Sequence, residues 1–472
     1  MNIGIIHYHL KPGGVTTVIK QHIRATRDKN AFLIICGENA TDVQVSAPVL
    51  VIPELGYDRP GGRPICKDPE AAAEAVIKGL WKTFGTDCDL LHIHNPLLAK
   101  NRHFLQIVKA LAAKGQHLLL QIHDFAEDGR PGSYYADEDY PVNCHLAVIN
   151  TRDREILIAA GASSEGVHYI PNAVSSFPEP ERKRESEPVM LYPVRAIRRK
   201  NIGEAILLSL FFKNKEKLAV TLPPNSAVDF APYNDWKSFC NGNPLNVLLE
   251  ASSKRPFREW VTICRGVLST SITEGFGFVF LEPWGTGKPL FGRKLPHLCA
   301  DFETAGIDLG HLYSRLAVPA DWLDRKQLKE KISAAVAAGY RAFGRAATDI
   351  GMDRFLALAG QKAIDFGMLD ENFQKQVILR LLTSSRDRQH LMMENPFLEN
   401  IENNVSTEKI HRNARCVREN FSERVCGEKL MAAYRQTAGK AIDQRIDKKK
   451  LLDRFFHPEY FSLLQWGEYD NH

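Results

Sequence analysis

The feature that most constrains this chain is a series of short, continuous apolar runs, each closed by a polar turn and many followed by a helical pattern. In the first part the runs are Asn2–His7, Ala31–Cys36, Val49–Ile52, Asp89–His94, His117–His123, Leu146–Asn150 and Val167–Ile170. Helical patterns fall at Val15–Asp28, Ala71–Phe84, Asn101–Ala113 and Thr151–Ala160. A strand that is apolar on both faces must be covered on both. Parallel neighbours must be joined by crossovers long enough to hold a helix. The pattern predicts an α/β fold with doubly wound parallel sheets. The alternation restarts with strands at Val189–Val194, Leu218–Leu222, Asn246–Leu249 and Gly266–Thr270 and a helix from Ile202. Between the two series lies Ser175–Pro188, polar and holding three prolines, which reads as a linker. A length of 472 residues accommodates two or three domains at roughly 150 residues each.

Composition narrows function by exclusion. A formal net charge of +5 is too small to argue for nucleic acid. The nine cysteines are scattered, with no C-x-x-C pair, which favours a reducing, cytoplasmic setting over a disulfide framework or a zinc–thiolate site. The start, MNIGIIHYHL, lacks the charge and long apolar core of a signal peptide. No apolar run approaches the ~18 residues of a membrane helix; Ala205–Phe212 is the nearest and Lys213 stops it. The G-x-G-x-x-G fingerprint is absent, and Gly285-Thr286-Gly287-Lys288 lacks the full P-loop frame.

Sheets of this kind bind ligands beyond the carboxyl ends of their strands, so the polar residues there carry the information. After the first strand come His7-Tyr8-His9 and then Gly13-Gly14 before a helix, a place where backbone amides can approach a phosphate or a sugar. Two later strands end in His92-Ile93-His94 and His123-Asp124. A histidine at a strand end is more often structural than catalytic, and metal binding by His92, His94 and His123 is a minor alternative. Val189–Val194 runs into Arg195-Ala196-Ile197-Arg198-Arg199-Lys200-Asn201, with Asn201 expected to cap the following helix. Arg195 and Lys200 beside a helix N-terminus suit a pyrophosphate, whereas Arg198 and Arg199 read as a basic surface loop.

The richest stretch is Ser269–Pro296, STSITEGFGFVFLEPWGTGKPLFGRKLP. Glu274 and Glu282 have seven residues between them. A strand, a glycine turn (Glu274-Gly275-Phe276-Gly277) and an expected helix from Phe278 would let both carboxylates face one cleft. Carboxylates repel phosphate but accept from paired sugar hydroxyls. This segment resembles the E-x7-E signature of retaining glycosyltransferases of the GT-B fold, family 4. Tyr169-Ile170-Pro171-Asn172-Ala173-Val174 resembles the family's Pro-Asn-Gly-Val, with Ala173 in place of the glycine. Gly13-Gly14 resembles its N-terminal Gly-Gly loop. Asn413, Val417, Phe421-Ser422 and Gly427-Glu428, within Ile410–Tyr434, resemble its C-terminal helix. Asp87-Cys88-Asp89 matches the Asp-x-Asp metal motif of the other large glycosyltransferase fold, but it precedes a strand and reads as a solvated strand start.

The resemblance implies an α/β GT-B fold: two Rossmann-like doubly wound domains facing a cleft, with a helical insertion and a C-terminal tail. The expected boundaries are 1–174 for an acceptor domain, 175–188 for the linker, and 189–405 for a nucleotide-sugar domain with its insertion at about 320–405. A crossing helix and tail then occupy 406–472. It implies a hexosyltransferase moving sugar from a nucleotide-diphosphate donor, such as UDP-glucose or GDP-mannose, to a hydroxyl acceptor. Without an evident hydrophobic anchor, that acceptor is expected to be small and soluble. Glu274, His123, Arg195 and Lys200 are the implied catalytic set, with His123 near the donor's 6-hydroxyl. Glu282 would hold the ribose. The amides of Gly275, Phe276 and Gly277, with Gly13 and Gly14, would complete donor binding. No metal or other cofactor is expected. The loop Phe125–Tyr140 would shape the acceptor side. The tail from Thr437, with Lys448-Lys449-Lys450 and an aromatic end, could touch a membrane surface, although a docked, solvated helix is the plainer reading. Alternatives are a non-catalytic sugar-nucleotide-binding subunit, a GT-B phosphorylase or an epimerase.

Overall fold

The computed structural model describes residues 1–39, 43–59, 61–175, 187–213, 216–346, 351–401 and 405–469. The chain divides into two compact units. The first takes Met1–Ala173, Ala342–Gly344 and Glu419–Phe456; the second takes Val174–Arg341, Arg345–Arg418 and the chain from His457. Most of the expected linker, residues 176–186, lies outside the described residues.

The first unit is built on seven strands: β1 (Asn2–His9), β2 (Ala31–Glu38), β3 (Val49–Val51), β4 (Leu90–His94), β5 (Leu118–Ile122), β6 (His145–Val148) and β7 (Val167–Tyr169). Their order is β3-β2-β1-β4-β5-β6-β7, and every pair is parallel. The helices α1 (Gly14–Thr26), α2 (Pro69–Phe84), α3 (Phe104–Ala113) and α4 (Thr151–Ala159) supply crossovers. Successive side chains of β1 feed two cores, as a strand's period of two requires. Ile3 and Ile5 pack with Ile19, Ile23 and Leu430; Ile6 and Tyr8 pack with Val76, Leu80 and Phe104. Asp68 caps α2 by accepting from Ala71 N at 3.0 Å, and Gly85, at φ 69°, ends it in the left-handed region. Strand order reverses between β1 and β4, so the crevice that such a sheet offers a ligand opens at their carboxyl ends.

The second unit repeats the plan with β8 (Val189–Arg195), β9 (Lys217–Leu222), β10 (Val247–Leu248), β11 (Gly266–Ser269) and β12 (Leu290–Gly292). The order is β10-β9-β8-β11-β12, again parallel, with the reversal between β8 and β11. Helices α5 (Ile202–Ser209), α6 (Ala227–Gly242), α7 (Phe257–Ile263) and α8 (Pro296–Thr304) accompany it. The expected helical insertion carries α9 (Arg325–Ala342), α10 (Met352–Ala359), α11 (Glu371–Thr383) and α12 (Ser385–Glu394). It also holds β14 (Ala363–Asp365), absent from the sequence reading, which pairs antiparallel with β13 (Ala317–Pro319) just before the insertion. Buried Arg293, just past β12, donates to Glu204 at 2.7 and 2.8 Å and to Asp365 at 2.8 Å twice, tying the insertion to the sheet.

The single helix expected over Ile410–Tyr434 is two. α13 (Thr407–Asn420) ends before Phe421, and α14 (Glu423–Gly439) starts afresh because Ser422 caps it, accepting from Val425 N. The tail is packed. In α15 (Lys448–Phe455), Leu451, Leu452 and Phe455 are buried against the first unit, while Lys448 donates to the carbonyls of Tyr135 and Glu138 and lies 4.3 Å from the Tyr134 ring centroid. In the second unit α16 (Leu463–Trp466) buries Leu463, Leu464 and Trp466. The apolar faces of α15 and α16 are thus taken up by packing. Among the described residues no helix is long and apolar enough to cross a membrane.

Candidate functional site

In the second unit the loops after β8 and β11 meet at the switch point and are stitched together through the backbone. Ile272 N donates to Arg199 O at 3.0 Å, and Thr270 Oγ1 to Asn201 O at 2.9 Å. The Tyr192 hydroxyl donates to Lys200 O and accepts from Thr270 N at 3.2 Å. This stitching brings Lys200 and Glu274, 74 residues apart in sequence, into a direct ion pair with side chains only 15% and 11% exposed. Burial pushes the Glu274 carboxyl up, but Lys200 and Arg199 outweigh it and hold it below its ordinary value. Burial also pulls the Lys200 ammonium down, in spite of Glu274. Arg195 ends β8 with an exposed side chain that has no hydrogen bond or ion pair among the described residues.

The turn after Glu274 departs from the expected strand–turn–helix. Phe278–Phe280 and Glu282–Thr286 are two 3-10 turns, and no α-helix follows. Pro283 lacks the amide needed to continue a helix from Phe278, and Gly277 and Gly287 adopt φ of 83° and 72° on either side. Glycine at 277 is required twice over: a Cβ there would lie 2.7 Å from Leu298 Cδ2. Phe276 is buried among Phe278 and Phe302, which leaves only its backbone for the donor contact expected of it. Glu282 opens the second turn. Its half-buried carboxyl has no hydrogen bond or ion pair among the described residues, and burial alone pushes it up to about 7. A strongly perturbed, unpartnered acid is a candidate binding group.

Two readings of the basic loop need correction. Arg198 is not a surface residue: Nε and Nη2 donate to the two carboxylate oxygens of buried Glu371 at 2.7 and 2.9 Å, and Nη1 donates to Gly467 O at 2.6 Å. Asn201 does not cap α5 with its side chain. It sits at φ 52°, donates Nδ2 to Glu204 Oε2 at 2.8 Å and accepts from Gln374 Nε2 at 2.8 Å. Both residues hold the loop to the insertion and the tail. Sequence reasoning missed Glu371, Gln374 and Tyr192, since their partners lie far along the chain and no local pattern announces them.

The first unit's residues form a separate set at the ends of β1, β4 and β5. Gly13 caps α1 with an extended backbone, and neither it nor Gly14 is demanded by packing: a Cβ on Gly13 would meet nothing closer than 3.9 Å and one on Gly14 nothing within 4 Å. His123 is held by its backbone amide, which donates to Asn95 Oδ1 at 2.7 Å. Its Nε2 lies 2.9 Å from His94 Nδ1, and burial pulls its imidazole down to about 4, so it is neutral at pH 7. Asp124 accepts from Arg130 Nη2 at 2.7 Å. In the loop Phe125–Tyr140, Tyr135 and Tyr140 are buried, and Tyr140 donates to Glu127 at 2.7 Å.

No family model matches the sequence. The chain is 29% identical over 373 residues to the mannosylglucosyl-3-phosphoglycerate synthase of Petrotoga mobilis, covering 70% of this chain and 72% of that protein. Among solved structures, it is similar to the sucrose-phosphate synthase of Thermosynechococcus elongatus, with TM-score 0.51, 12% identity and coverage of 92% and 98%. It is likewise similar to HepE of Anabaena, solved with UDP-glucose, with TM-score 0.50, 13% identity and the same coverage. The fold is that of the GT-B glycosyltransferases, with parallel sheets in two Rossmann-like domains.

Proposed function

We propose that this chain is a retaining glycosyltransferase of the family 4 type, moving a hexose from a nucleotide-diphosphate sugar to a hydroxyl of a small, soluble acceptor. One observation carries the reading: at the switch point of a parallel sheet Lys200 and Glu274 meet in a buried ion pair, with Arg195 exposed at the end of β8. Arg195 and Lys200 hold the diphosphate. Negative charge grows there as the sugar–phosphate bond breaks, so fixed cations lower the barrier and do more than tighten binding. Glu274, kept ionised by Lys200, accepts from sugar hydroxyls, and the turn amides at Gly275–Gly277 donate to them. Glu282 accepts from the ribose hydroxyls. His123 is the first unit's candidate for a hydrogen bond to a donor-sugar hydroxyl, and Gly13-Gly14 admits a ligand close to the backbone. No side chain here is assigned as a covalent nucleophile; the acceptor attacks on the face the diphosphate leaves. Two cations and the turn amides hold the donor without a metal on the diphosphate. The nine cysteines fit a cytoplasmic protein.

The Petrotoga relative's name points to a mannosyl transfer that yields a phosphorylated glucoside, which favours a small anionic glucoside as acceptor. The test is proton NMR of the purified chain with a panel of nucleotide sugars, led by GDP-mannose and UDP-glucose, and glucosyl-3-phosphoglycerate, in EDTA. The reading expects acceptor-dependent release of nucleoside diphosphate and an α-linked product from an α-linked donor. A β-linked early product overturns retention. Turnover only with added magnesium or manganese overturns the metal-free clamp. Nucleotide binding without turnover of any donor points to a non-catalytic binding subunit.

A further inference from the structure

We propose that His22, His92 and His94 form a three-imidazole site, inside the first unit, for a divalent transition-metal ion of the zinc type. His92 and His94 are two apart on β4 and so project from the same face of the sheet. That face is covered by α1, which brings His22; all three residues are buried. One ring nitrogen from each lies within 4.8 Å of the others, and the ring centroids are 5.5 Å (22–92), 5.7 Å (22–94) and 4.3 Å (92–94) apart.

The hydrogen bonds make this arrangement specific. His92 Nδ1 lies 2.9 Å from the Tyr434 hydroxyl, and His94 Nδ1 lies 2.9 Å from His123 Nε2. His92 Nε2, His94 Nε2 and both nitrogens of His22 have no hydrogen-bond partner among the described residues. When the two Nδ1–H groups donate outward, both Nε2 atoms carry lone pairs that face His22. Buried, unmatched acceptors gathered at one point are costly, and a cation satisfies all of them together. Imidazole is a preferred ligand of zinc and its neighbours, and an outward Nδ1–H bonded to an outer partner is the usual support of a metal-bound histidine. Bonds of about 2.0–2.1 Å draw tetrahedral ligand nitrogens to about 3.4 Å from one another, so the site tightens on loading. Gln121, buried and in register with His94 on β5, is the fourth polar group on this face. Three imidazoles leave a fourth position, which the unpartnered Gln121 Oε1 beside His92 can fill; the site so completed is buried, and its role is to brace β4 against α1. A metal on His94 Nε2 also strengthens its Nδ1–H as a donor, which fixes the proton of His123 on Nδ1.

The test uses the full chain, dialysed against Zn2+ and then metal-free buffer, with bound metal measured by plasma mass spectrometry. We expect about one zinc per chain and a raised melting temperature. His22→Gln and His92→Gln should each reduce retained zinc to less than about a tenth of that. Wild-type protein loaded with Co2+ should show the visible bands of a tetrahedral site with three nitrogen ligands and one oxygen ligand, without thiolate charge-transfer bands; this readout stands even where a variant does not fold. No retained metal with no thermal shift, thiolate bands from cobalt, or undiminished zinc in both variants overturns the proposal.

Discussion

Glu282→Gln should stabilise the free protein while weakening its hold on nucleotide. The Glu282 carboxyl has burial as the single cause of its shift, from 4.5 to about 7. A carboxyl whose folded pKa is raised is neutral more readily in the folded state. Its contribution is fully present below the unfolded pKa and is lost as pH rises through the folded one, here between 4.5 and about 7. At 1.36 kcal/mol per pKa unit, the ionised carboxylate costs the fold at most about 3 kcal/mol at pH 8 and under about 1 kcal/mol at pH 5. Glutamine keeps the shape and removes that cost. Chemical denaturation should show the variant more stable by about 1–3 kcal/mol at pH 8, with the gap closing towards pH 5. Binding should move the other way. A hydroxyl donating to a carboxylate contributes about 1.5–3 kcal/mol and one donating to a neutral amide about 0.5–1.5, so calorimetry should find nucleoside diphosphate bound about tenfold more weakly by the variant at pH 8. Wild-type affinity should also rise from pH 6 to pH 8 as Glu282 ionises. Equal stability at both pH values would show that Glu282 is solvated. Unchanged affinity in a folded variant would remove it from the nucleotide site.

Arg195→Ala and Lys200→Ala should each lower kcat by roughly 10²–10³, as loss of one preorganised charge at a transition state does. Lys217→Ala, an exposed cation at the opposite end of β9, is the control, and steady-state kinetics in which only the donor KM rises would reduce the pair to uniform binding. Arg198→Ala should destabilise the fold by about 3–5 kcal/mol, because Glu371 is left buried and uncompensated. The double variant Arg198→Met with Glu371→Leu should recover most of this in denaturant melts, and failure to recover would mean that the link to Gly467 O dominates. Gly277→Ala should cost about 1–3 kcal/mol from its backbone at φ 83° and a similar amount from crowding Leu298 and Phe280. A melting curve identical to wild type would refute the strained turn.

The sheets were legible because a buried parallel strand writes itself locally. The runs at Ala31, Asp89, His117 and Gly266 need only apolar side chains on both faces, and β2, β4, β5 and β11 begin within a residue of them. The places of Arg195 and Lys200 after β8 and of Glu274 after β11 were legible for a related reason: polar residues past a strand's end stand out against apolar runs. What the side chains do was decided by tertiary structure. The helix expected from Phe278 broke into 3-10 turns at Pro283, a signal present in the sequence but outweighed by the apolar pattern. Arg198 and Arg199 are adjacent and alike in sequence, yet Arg198 is locked to Glu371, 173 residues on. His22 carried no signal at all as one histidine on the apolar face of a helix, until the fold set it beside His92 and His94. Period and turn chemistry act between near neighbours and can be read along the chain. A charge's partner, its burial and hence its pKa depend on groups that only folding brings together.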